Sequence, residues 1–462
     1  MKQDIIDILY SWTETEHAVN SMESLLEWIN ERNRNVVVNI EETSFAEGDF
    51  WYFNPEIGYI ENTAGKFFSI GGLRFRQRGK LITEQPVIHQ PEIGYLGIIC
   101  KKINGVMHFL MQAKIEPGNV NCVQISPTIQ ATKSNFEQVH GGKKPAYLEY
   151  FQNADKYTII LDQIQSEQGS RFYKKRNRNI MIRVDDEVEV LGAFRWMTLG
   201  QIKQLMKIDN LVNMDARTVL SCIPFSTYQF TEDEKRKMAQ AFKRDALFSS
   251  VFNADIQQGI PDVYNYLNNV RMFQESETEK VSLSELYDWE INERGMFCKK
   301  EANFDIRYFD IEIAGREVRH WKQPLLCACG KGTFGLFVCE HDGMLKFLVK
   351  VKTEIGNFDV AELGPTVFLE PVHDKTSDSV MAQFFTQMKE KSGVIMDCLF
   401  SEEGGRFYHE ENRNVIIMTD YIPQCELPPG YFWMSYASLN ALSQVNNCLN
   451  IQLRNLLSIL DQ

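Results

Sequence analysis

One long polar string occurs twice in this chain. Ser166-Glu167-Gln168-Gly169-Ser170-Arg171-Phe172-Tyr173-Lys174-Lys175-Arg176-Asn177-Arg178-Asn179 returns, eroded, as Ser401-Glu402-Glu403-Gly404-Gly405-Arg406-Phe407-Tyr408-His409-Glu410-Glu411-Asn412-Arg413-Asn414. Two copies of so polar a string, half a chain apart, mean that one folding unit was doubled, and no other feature constrains the fold as much. The spacing here is 235 residues (401 − 166). Earlier in the unit it is 238, as between Gln85-Pro86 and Gln323-Pro324 (323 − 85) or Pro127-Thr128 and Pro365-Thr366. Trp196-Met197-Thr198 meets Trp433-Met434-Ser435 at 237 (433 − 196). The second copy has therefore lost three residues (238 − 235) ahead of the motif.

The repeated register carries a hairpin. Tyr95 to Cys100 and Val106 to Ala113 are apolar runs around Asn104-Gly105, a type I′ turn in which both residues need positive φ. Asp342-Gly343 keeps that turn chemistry at the matching place. In the outgoing strand, alternation puts Phe109, Met111, Ala113 and Ile115 on one face and Gln112, Lys114 and Glu116 on the other. Lys352 and Glu354 are the copies of Lys114 and Glu116. The tail of each unit has Leu, Met and Ile at helical spacing. Strands mixed with helices give an α+β class. We expect a first repeat over 1–230, a helical connector over 231–279 and a second repeat over 280–462.

Composition excludes several classes. A net charge of −13 argues against a nucleic-acid partner. No apolar run is long enough to span a bilayer, so no membrane is expected. Acids at Asp4 and Asp7 stand where a signal peptide would be basic and then apolar, and the ten cysteines read as reduced thiols. A cytoplasmic protein is expected. Dinucleotide, nucleotide-phosphate, hydrolase-elbow and zinc-protease motifs are all missing, so neither cofactor nor metal is expected.

Four stretches carry candidate chemistry. Thr128, Gln130, Thr132, Ser134 and Asn135 offer donors and acceptors to a hydroxyl-rich, anionic ligand, or form a loop with Ser134 as helix cap. In the second copy the segment reads Gly364-Pro365-Thr366-Val367-Phe368-Leu369-Glu370-Pro371, without this run of small polar groups, which favours a ligand role in the first. His140-Gly141-Gly142-Lys143-Lys144 is either a phosphate loop with a proton-carrying histidine or a solvated basic turn. In the repeated motif, Arg171 and Arg178 offer forked donors that match phosphate or carboxylate, Phe172 and Tyr173 suit stacking on a base or sugar, and Asn177 and Asn179 share a strand face, or the whole is a salt-bridged hairpin edge. Lys114 and Glu116 are a structural ion pair or, in a cleft, a base beside an oxyanion partner. Trp321 reads as a stacking platform or as core.

Together, Phe67-Phe68-Ser69-Ile70-x-Gly72-Leu73, the Pro127 to Asn135 segment, Gln165 to Phe172, Asn177-Arg178-Asn179 and Val212-Asn213-Met214-Asp215-Ala216-Arg217-Thr218-Val219-Leu220 resemble the nucleotide-diphosphohexose 2,3-dehydratases. The resemblance spans nearly the whole chain. It implies two Nudix-like domains per subunit, a homodimer, and water loss across C2 and C3 of a dTDP-4-keto-6-deoxyhexose, followed in the pathway by a 3-ketoreductase. The Nudix metal signature is absent. On this reading Glu116 or His140 is the base, Lys114 the oxyanion partner, Thr132, Ser134 and Asn135 hold the sugar, and Arg171 and Lys175 hold the diphosphate. Trp321, Lys352, Glu354, Arg406 and Tyr408 would line a second pocket. The rival readings are a noncatalytic nucleotide-sugar binder and a metal-dependent diphosphohydrolase.

Overall fold

A computed structural model describes residues 1–14, 16–45, 49–136, 144–315, 318–372 and 378–460. Each half is built on a seven-stranded mixed sheet. In the first, the order is Thr158–Ser166, Arg176–Arg183, Gly94–Ile103, Val106–Ile115, Phe194–Met197, with Val123–Ser126 and Ile129–Ala131 added beside the central hairpin. The second repeats this with Val394–Ser401, Glu411–Met418, Thr333–His341, Met344–Thr353 and Tyr431–Ser435, plus Ala361–Pro365 and Val367–Leu369. The one parallel pairing in each sheet joins the motif strand to the incoming hairpin strand. The hairpin turns form as expected: Asn104, Gly105, Asp342 and Gly343 all have positive φ, between 51° and 85°.

The halves are interlaced rather than merely adjacent. Val38–Thr43 pairs antiparallel with Phe304–Ile313 of the second half. Its copy at offset 238 (276 − 38), Ser276–Val281, pairs antiparallel with Ser69–Gln77 of the first. Helices Lys2–Thr13 and Met22–Asn35 precede the first exchanged strand, and Asp245–Phe252 and Ile260–Phe273 precede the second. One hydrophobic core runs through both sheets, with Ile98 and Met181 from the first and Leu336 and Val338 from the second.

The motif loops cross as well. The Gly118 N–H donates to Gly404 O at 2.7 Å, and the His409 N–H donates to Gly118 O at 2.9 Å. In mirror fashion the Gly356 N–H donates to Gly169 O at 2.8 Å, and the Lys174 N–H to Gly356 O at 2.7 Å. A Cβ on Gly118 would lie 1.6 Å from Phe407 O, and one on Gly356 would lie 1.9 Å from Phe172 O. Close approach, not turn geometry, is why glycine stands at both places. Gly118→Ala is expected to destabilise the protein by about 1–3 kcal/mol, because the opposing atom is backbone and must be pushed away. Urea denaturation of wild type and variant measures this.

Candidate functional site

The crossing loops complete a cavity of about 100 Å³ at the end of the first half's sheet. Lys114 and Glu116 reach it from the polar face of Val106–Ile115 and its continuation. Their ion pair is 2.8 Å long, and Lys114 also donates to Gln130 O at 3.1 Å. Gln130 and Thr132 line the same space. The Gln130 side chain accepts from Asn213 Nδ2 at 3.1 Å and donates to Glu403 Oε1 at 3.4 Å.

The first motif supplies Glu167, Phe172, Lys175 and Asn177 to the lining. Asn177 Nδ2 donates to Glu167 Oε1 at 2.5 Å and so fixes that carboxyl, whose Oε2 is buried without a hydrogen-bond partner among the described residues. Lys175 Nζ donates to the Glu92 carbonyl. The second half contributes Glu403, Gly405 and Arg406 to this first-half cavity. Arg406 is held over the Phe67 and Phe68 rings at 4.5 and 4.4 Å and donates to Gln90 Oε1 at 3.4 Å.

Asp215 closes the set. It sits in the first turn of helix Met214–Ser221, whose N-cap Asn213 accepts the Ala216 N–H. The carboxyl is buried, and its Oδ1 has no hydrogen-bond partner among the described residues. Burial, reinforced by Glu167 and Glu403, holds Asp215 protonated well above the usual carboxylate range. Burial also lifts Glu167 to about 7, against the pull of Lys175. Lys175 is itself pulled down to about 8 by burial. Glu403 is raised by burial and by the Glu116 charge. The cavity thus offers acid and base groups poised near neutrality, the condition for proton transfer in both directions.

The corresponding place in the second half is nearly filled, with a space of about 10 Å³. Arg171 lies there and not at the first cavity. It clasps Glu370 with two bonds of 3.1 and 2.7 Å, lies 3.7 Å from Glu410, and covers the Phe304 ring at 4.5 Å. Arg171 and Arg406 have thus exchanged the pockets expected from chain order, because each motif loop crosses to the other half. Glu354 accepts the Gly169 N–H at 3.2 Å, and Lys352 lies over the Phe368 ring at 4.7 Å. Lys352, Glu354, Trp321 and Tyr408, all expected at a second pocket, line neither space. The Trp321 indole donates to Gln323 Oε1 at 2.9 Å, and Tyr408 packs on Phe309 with ring centres 4.3 Å apart.

Other expected residues are placed differently from Gln130 and Thr132. Thr128 is buried in the sheet, donating to Leu110 O and accepting the Ile99 N–H at 2.9 Å. Thr366 braces Leu348 O and Phe337 N in the same way, so this threonine belongs to the fold of both halves. Ser134 donates to Glu92 through its hydroxyl and, at 3.0 Å, its N–H. Asn179 is buried and donates to Asn177 O at 3.3 Å. His140 and the Asn135 side chain lie outside the described residues. Glu167, Asp215 and Glu403 were absent from the expected site. A position-by-position comparison of the two copies would have flagged the last two, since Gln452 and Gln168 replace them.

Residues 22–223 and 261–460 each match the family model described as NDP-hexose 2,3-dehydratase. The chain belongs to that family. This bears out the resemblance drawn from the motifs, and the binder and hydrolase readings are not favoured. A dTDP-4-dehydro-6-deoxy-alpha-D-glucopyranose 2,3-dehydratase of Amycolatopsis orientalis is 34% identical over 95% of this chain and 90% of its own length. Enzymes of the same name from Saccharopolyspora spinosa and Streptomyces violaceoruber are 35% and 34% identical, over 89% and 93% of this chain and 85% and 95% of theirs. The solved structure of an ADP compounds hydrolase overlaps 30% of this chain and 74% of its own, at 13% identity and a TM-score of 0.18, a likeness too small to carry weight. Among the described residues, no helix is long and apolar enough to cross a membrane.

Proposed function

We propose that this family member is a hydro-lyase that removes water across C2 and C3 of a dTDP-4-keto-6-deoxyhexose, giving a 3,4-diketo-2,6-dideoxy sugar nucleotide. The observation that carries the reading is one cavity in which buried carboxyls and ammonium groups meet around a set of amides and a threonine. The C3 proton lies next to the C4 ketone. Its removal places negative charge on the C4 oxygen, and the resulting enediolate expels the C2 hydroxyl by β-elimination. The enol product then becomes the diketone, and no hydride moves.

In this assignment Glu167, oriented by Asn177 and facing the charge of Lys175, takes the C3 proton. Lys114 meets the developing C4 oxyanion. Glu116, whose ion pair with Lys114 spans 2.8 Å, holds that ammonium in place. Gln130, Thr132 and Asn177 face the sugar hydroxyls. Arg406 takes the diphosphate end, as Arg171 takes a carboxylate in the second half. The space of about 100 Å³ is below the ~300–1,000 Å³ of a whole ligand pocket. It therefore takes the hexose, with the nucleotide outside.

The test is incubation with dTDP-4-keto-6-deoxyglucose, followed by mass spectrometry for loss of one water. Recovery of unchanged sugar nucleotide that nevertheless binds would sink the reading. A pH profile follows from Glu167. The base must be ionised, so kcat/KM is expected to fall as pH drops through about 7, where that carboxylate takes up a proton.

The same reading includes two Nudix-like domains, a homodimer, a cytoplasmic setting and a downstream 3-ketoreductase. The mixed sheet repeated in each half supports the first, and the electrophilic vicinal diketone product supports the last.

A further inference from the structure

The chain holds one site twice, open in the first half and filled in the second, and the difference between the copies singles out groups kept for chemistry. Lys114, Glu116, Glu167 and Asn177 recur as Lys352, Glu354, Glu402 and Asn412. Persistence where only about 10 Å³ is free means the fold alone can retain these four. Asp215 does not recur: at the offset of 237 (452 − 215) stands Gln452, which has no proton to give. The helix around it is the same in both copies. Asn213 and Asn450 cap Met214–Ser221 and Ile451–Ser458 alike, and Arg217 and Arg454 are buried one turn on. The helix therefore forms without the carboxyl. In the open copy that carboxyl lines the cavity and leaves Oδ1 unpartnered among the described residues, an arrangement that costs stability unless something else uses the group.

We infer that Asp215 is the acid that protonates the departing C2 hydroxyl, an assignment that rests on the dehydratase reading above. The C2–O bond breaks with its electron pair on oxygen, which takes the Asp215 proton and leaves as water. The electrons of the former C3–H bond end in the C2–C3 double bond. Glu167 has gained a proton and Asp215 has lost one, and exchange with water resets both, so the step is redox-neutral. Glu116, Glu167, Glu403 and Lys114 surround Asp215 in the cavity, and Arg217 and Arg454 lie behind it. Burial and the carboxyl neighbours keep the proton on Asp215 until the leaving oxygen needs it.

Asp215→Asn keeps the shape and removes the proton. Turnover of dTDP-4-keto-6-deoxyglucose is expected to fall roughly 100- to 10,000-fold, while deuterium from D2O still enters at C3, because the base remains. Wild-type turnover in the variant overturns the assignment. So does loss of C3 exchange together with elimination in a folded variant, which marks a structural role. If the Asn variant does not fold, Asp215→Gln, the residue the second half carries here, takes its place under the same two criteria. Failure of the wild-type enzyme to lose water from the substrate would instead strike at the dehydratase reading itself.

Discussion

Glu167→Gln is expected to lower kcat about 100- to 10,000-fold and to abolish deuterium exchange at C3. The amide keeps the side chain's size and can still accept the Asn177 bond, 2.5 Å in the wild type. It cannot take a proton from carbon. Exchange is the informative readout, because it reports the first bond broken and is blind to the fate of the hydroxyl. A variant that still exchanges at the wild-type rate would move the base to Glu116. The contrast with Asp215→Asn, which should exchange without eliminating, separates the two ends of the reaction.

Arg171→Met is expected to destabilise the fold by about 3–5 kcal/mol, the usual cost of breaking a buried ion pair from one side. Glu370 and Glu410 would be left as buried carboxyls without their guanidinium. Adding Glu370→Met should recover much of the loss, since an apolar pair of similar volume is tolerated where one orphaned charge is not. Urea denaturation midpoints of the single and double variants measure this. Equal midpoints for wild type and Arg171→Met would mean that the clasp contributes nothing.

The features legible in the sequence were those set by local chemistry. Asn104-Gly105 and Asp342-Gly343 announce their turns because left-handed backbone favours those residues. Lys114, Glu116, Gln130, Thr132, Phe172, Lys175 and Asn177 were expected at a first pocket, and all line the one cavity. Arg171 and Arg406 were assigned by chain order, and chain order carries no trace of the crossing. The two glycines that permit it, Gly118 and Gly356, look like ordinary turn residues until the opposing carbonyl is seen. Thr128 looked like a ligand contact because it is polar and stands in a polar run. Its persistence as Thr366 marked it instead as a sheet brace. Asp215 was hidden for the converse reason, since its meaning lies in what the second copy lacks.

The traded loops also bear on ancestry. The trailing half has closed its own chamber, yet it still lends Glu403 and Arg406 to its neighbour. Deleting it would strip the working chamber of two side chains, and reverting to a single-unit ancestor would require both loops to fold home at once. The doubling thus ties the copies together: the half whose own space is nearly closed is still needed to wall the open one, through the piece it gives away.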